Sequence, residues 1–109
     1  MVDPKHYTYR VLWSEEDGEF VGLCAEFPSL SHLDETQVGA LSGIATLVTD
    51  VVADMQADGD TPPVAIADRH YSGRFQVRIT PELHRRLAIR AAESNVSLNR
   101  LVSDQLARP

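Results

Sequence analysis

Two periods of hydrophobic and polar residues organise the chain. From Arg74 to Ile79 the period is two, with Phe75, Val77 and Ile79 apolar and Arg74, Gln76 and Arg78 polar. That pattern predicts a strand with one buried and one open face. Tyr7–Trp13 predicts another strand, with Tyr7, Tyr9, Val11 and Trp13 on one face. Phe20–Ala25 is apolar on both faces and reads as a more central strand. Asp17-Gly18 between these two runs can take positive φ, so they form a hairpin. The short run Ser29–Leu33 predicts a third strand, and Val64–Ala67 a short fourth one.

The second period is helical. Leu41, Ile44, Val48, Val51 and Met55 recur at spacings of three and four, widened by Val38, Ala45, Leu47 and Val52. They predict a helix over residues 36–57, started by Thr36 as N-cap and stopped at Gly59. Gly39 and Gly43 within it each cost about 1 kcal/mol relative to Ala, which points to a close approach to the sheet. Thr80 and Pro81 start a second helix, with Leu83, Leu87 and Ala91 on one face. Ser94-Asn95-Val96 breaks it, with Asn95 tolerating a left-handed backbone. Ser97 then caps a third helix, whose apolar positions are Leu98, Leu101, Val102 and Leu106. The expected class is therefore α+β, with domains at residues 1–67 and 73–109 and a polar linker at 68–72.

The strand at 74–79 has no second strand after it, and a lone strand leaves its backbone donors and acceptors unsatisfied. The 37-residue tail is also too short to fold alone without disulfides, metal or oligomerisation. The one cysteine, Cys24, allows no internal disulfide, and its position in a strand predicts a buried thiol. His6, His32, His70 and His84 lack metal-ligand spacing. Oligomerisation is left. Pairing with the same strand of a second chain gives a two-fold antiparallel ribbon. The expected dimer core is Phe75, Val77, Ile79, Leu83, Leu87, Leu98, Leu101 and Val102. Arg74, Gln76 and Arg78 then form an open face suited to reading bases in a major groove, where Arg pairs with guanine and Gln with adenine. Ser97, Leu98, Asn99 and Arg100, at the start of the third helix, are the expected phosphate contacts.

Charge sharpens this division. Residues 1–72 carry three basic and thirteen acidic residues, a net −10. Residues 73–109 carry seven arginines against Glu82, Glu93 and Asp104, a net +4. A basic tail attracts a polyanion, whereas an acidic body suits a basic protein. A hydrophobic content of 43% with 24% charged residues is the balance of a soluble globular protein. With no apolar run approaching a membrane span and no signal peptide, a cytoplasmic location is expected.

Residues 73–106, GRFQVRITPELHRRLAIRAAESNVSLNRLVSDQL, resemble a ribbon-helix-helix DNA-binding domain of the Arc and MetJ type. The first part, with YTYRVLWSEEDGEFVGLCAEFPSLS, DETQVGAL and DGDTPP, resembles the N-terminal domain of HicB antitoxins. That resemblance implies a truncated RNase H-like β-β-β-α-β domain. It also implies an antitoxin that neutralises a HicA-like, small, basic RNA-cleaving toxin. The tail would repress the antitoxin's own operon as a dimer on double-stranded operator DNA, or as a tetramer where the N-terminal domains also pair.

Two other classes stand beside this one. A stand-alone ribbon-helix-helix regulator would use its N-terminal domain to oligomerise or sense a ligand. A metal-dependent nuclease would need converging carboxylates, but Glu15, Glu16 and Asp17 fall in a predicted turn. No catalytic arrangement stands out, so the chain is read as a non-enzyme without cofactor or metal.

Overall fold

The computed structural model describes residues 2–109. The chain divides into two compact units, Met1–Tyr71 and Ser72–Pro109. In the first, strands β1 (Tyr9–Ser14), β2 (Glu19–Cys24) and β3 (Ser31–Asp34) form an antiparallel sheet in the order β1-β2-β3. Helix α1 (Gln37–Ala57) packs on one face of this sheet. The run that is apolar on both faces is indeed the central strand.

Strand register decides which side chains α1 covers. Val11 pairs with Gly22 and Gly22 with His32; Tyr9 pairs with Cys24, and Phe20 with Asp34. A methyl group on Gly22 would strike the Ala40 carbonyl and Ile44, so this set of residues faces the helix. Ile44, Val48 and Val52 of α1 are buried with Tyr7, Cys24 and Ala65. Tyr7 meets Phe27 edge-to-face, with ring centroids 5.4 Å apart, and its hydroxyl donates to the Pro63 carbonyl at 2.7 Å. Burial pushes the Cys24 thiol above its ordinary pKa.

The two interior glycines of α1 have a steric reason. Side chains on β3 occupy the space where their Cβ atoms would stand: Asp34 at Gly39 and His32 at Gly43. Thr36 caps the helix, its hydroxyl accepting from the Gly39 amide at 2.9 Å. The Thr36 amide and hydroxyl both donate to Asp34 at 2.9 Å, which holds that carboxyl below its ordinary pKa. By length and composition α1 could cross a membrane, at 21 residues with a mean hydropathy of 1.5 over 18 of them, contrary to the expectation that no segment could. Its apolar stripe covers the sheet instead.

The expected fourth strand is absent. Val64 and Ala65 precede a 3-10 turn at Ile66–Asp68. Pro62 and Pro63 have no N–H to give a ladder. The Ile66 amide is taken by the Glu26 carboxylate at 2.9 Å, which also accepts from the Thr8 amide and hydroxyl. Glu26 thus ties the start of the hairpin to a segment 40 residues away. Asp68, Arg69 and Tyr71 bond back to His6, Val64 and Ile66 respectively.

Candidate nucleic-acid interface

The second unit is built from helices α2 (Pro81–Glu93) and α3 (Leu98–Leu106), preceded by a segment without regular secondary structure. Thr80 caps α2, its hydroxyl accepting from the Leu83 amide at 3.2 Å. Asn95 takes a φ of 56°, and the Val96 amide returns to the Ala91 carbonyl at 3.0 Å, closing the end of α2. Ser97 caps α3, accepting from the Arg100 amide at 3.0 Å. These contacts fix a short corner between two amphipathic helices that pack on each other.

The segment Arg74–Ile79 does not form a strand within the chain, unlike its sequence pattern. The reason is topological, since this unit holds no second strand for it to join. None of the amides of Phe75–Ile79 finds a hydrogen-bond partner among the described residues. Its apolar alternates lie open, with Phe75 74%, Val77 65% and Ile79 42% exposed. Leu83, Leu87, Leu98, Leu101 and Val102 are half-buried, and Ala91 alone is buried in the unit. Arg74, Gln76 and Arg78 are exposed, on the alternate positions of the same segment.

Ile89 and Leu106 are also exposed apolar residues here. Ile89 lies off the Leu83–Leu87–Ala91 stripe, so helical spacing alone gave no signal for it. At the start of α3 the Ser97, Leu98 and Asn99 amides make no hydrogen bond among the described residues. The Arg100 amide is already taken by Ser97, which leaves its guanidinium as the group able to meet an anion. No cluster of three or more metal-ligating side chains occurs among the described residues.

Residues 62–106 match the model of the HicB family. The likeness to that family covers 45 of the chain's 109 residues. It takes in the exit from the first unit and nearly all of the second, while the HicB match leaves out the sheet and α1. No curated protein and no solved structure matches the chain.

Proposed function

We propose that this chain is a non-enzymatic antitoxin of the cytoplasm that binds operator DNA as a dimer through a ribbon-helix-helix unit. On this reading it neutralises a HicA-like toxin through its first unit. The observation that carries the reading is the incompleteness of the second unit, which buries only Ala91 and leaves Phe75, Val77 and Ile79 bare beside unpaired amides. Two copies of Arg74–Ile79, paired antiparallel, would satisfy both backbones. Their apolar alternates would close over α2 and α3 of both chains as one core. The first unit would correspond to a truncated RNase H-like domain lacking its last strand.

The opposite alternates then become the reading head. Six side chains, Arg74, Gln76 and Arg78 from each chain, would enter the major groove, where each bidentate contact discriminates bases by roughly 1–3 kcal/mol. The free amides of Leu98 and Asn99, with the Arg100 guanidinium, would clamp a backbone phosphate on either side. The +4 charge of this part adds an attraction that weakens with salt.

The test is a gel-shift titration of the operator at matched salt with Arg74→Ala, Gln76→Ala and Arg78→Ala. Each variant removes a contact from both chains and is expected to weaken specific binding at least roughly thirtyfold while the dimer persists. Normal binding by all three would remove the groove-reading role. The sheet and α1 lie outside the matched residues, which favours one alternative: a stand-alone regulator whose first unit oligomerises or senses a ligand. Failure of the chain to bind or neutralise any HicA-like toxin would select it.

A further inference from the structure

Helix α1 covers one face of the sheet and leaves the other bare. On that second face Leu12 pairs with Val21 and Val21 with Leu33, so the three stand in a row across all three strands. Leu12 is 41% and Leu33 42% exposed. Leu23, two residues along from Val21, extends the row on the same side. Beside it lies a shallow depression of about 400 Å³ lined by Thr8, Arg10, Leu23, Cys24, Ala25 and Pro28. A one-sided antiparallel sheet ordinarily presents polar residues outward. Here the centre of the outer face is aliphatic.

The rim at one end is acidic. Ser14 pairs with Glu19 to close the hairpin, so Glu15, Glu16 and Asp17 stand in the turn just beyond the Leu12–Val21–Leu33 row. Phe20 pairs with Asp34, which brings the exposed Glu35 to the same end. Arg10 is the one basic side chain on this face. An apolar centre with a charged rim is the anatomy of a protein–protein interface. The sign of the rim selects the occupant. A nucleic acid would be repelled, and a second copy would bring two acidic turns together.

We propose that the outer sheet face, centred on Leu12, Val21, Leu23 and Leu33, is where a small basic protein toxin docks. The proposal rests on the antitoxin reading above and adds the surface to it. The aliphatic row supplies the desolvated contact, and the Glu15–Glu19 turn steers the cationic partner toward it.

The full-length chain is titrated against the purified HicA-like ribonuclease of the same genome, by calorimetry and by inhibition of RNA cleavage. The double variant Leu12→Thr/Leu33→Thr keeps strand-favouring side chains and removes the apolar contact. It is expected to bind the toxin at least roughly tenfold more weakly with unchanged circular dichroism and operator binding. Glu16→Lys, in the exposed turn, is expected to slow association several-fold and flatten its salt dependence. Val38→Thr, on the outer side of α1, is expected to change neither. Wild-type protein that binds while the double variant binds equally well overturns the docking surface and leaves the antitoxin reading standing. Wild-type protein that does not bind overturns both. A double variant that loses higher-order assembly but keeps full toxin affinity assigns the face to a second copy and overturns the proposal.

Discussion

Substituting Phe75 by alanine tests the shared core most directly. Full burial of a phenylalanine side chain is worth about 1.5–3 kcal/mol. Phe75 is 74% exposed in the single chain, so most of that gain is still available to a dimer. About 1–2 kcal/mol per chain follows, and a two-fold ribbon uses the residue twice. The dimer of Phe75→Ala is therefore expected to lose about 2–4 kcal/mol, or roughly thirty- to several-hundredfold in dissociation constant. Sedimentation equilibrium over a nanomolar-to-micromolar range measures this constant. Arg74→Ala is the control, since its side chain lies on the opposite alternate and leaves the dimer intact. Phe75→Ala with an unchanged dissociation constant would refute the shared core, as would a wild-type chain that stays a folded monomer at micromolar concentration.

Two further outcomes concern the first unit. Burial pushes the Glu26 carboxyl up, but the bonds from the Ile66 and Thr8 amides and the Thr8 hydroxyl outweigh it and leave its pKa below the ordinary 4.5. A lowered native pKa gives stability that is present above the unfolded value and lost as pH falls through the folded one. Urea unfolding is therefore expected to weaken progressively below about pH 4.5. Glu26→Gln should flatten that acid limb and cost about 1–3 kcal/mol at neutral pH. Gly43→Ala gains about 1 kcal/mol of helix propensity but forces a methyl group into His32, an overpacking cost of about 1–3 kcal/mol, so a net destabilisation is expected. In a His32→Ala background the clash disappears, and the same substitution should become stabilising in chemical denaturation.

What was legible in advance was local. The stripe through Ile44, Val48 and Val52 marked α1, and Thr36, Thr80 and Ser97 marked helix starts, because a cap acts over three residues of its own neighbourhood. Asn95 announced the corner between α2 and α3 in the same way. The residues 64–67 misled because apolar content there suited a strand, while the decisive partner, Glu26, lies some 40 residues earlier in the chain. Ile89 was invisible because it sits off the periodic stripe of its own helix.

The sequence by itself determined the three strands of the sheet, the three helices with their caps, and the alternation of residues 74–79. Those properties depend on steric and hydrogen-bonding preferences within a few residues of each position. Only the tertiary structure decided which face of the sheet α1 would cover. Register brought Gly22, Gly39 and Gly43 together as the notches that seat the helix, and so turned Leu12 and Leu33 outward. Periodicity tells which residues share a face. It cannot tell which face finds a cover, because that depends on contacts between segments far apart in the chain.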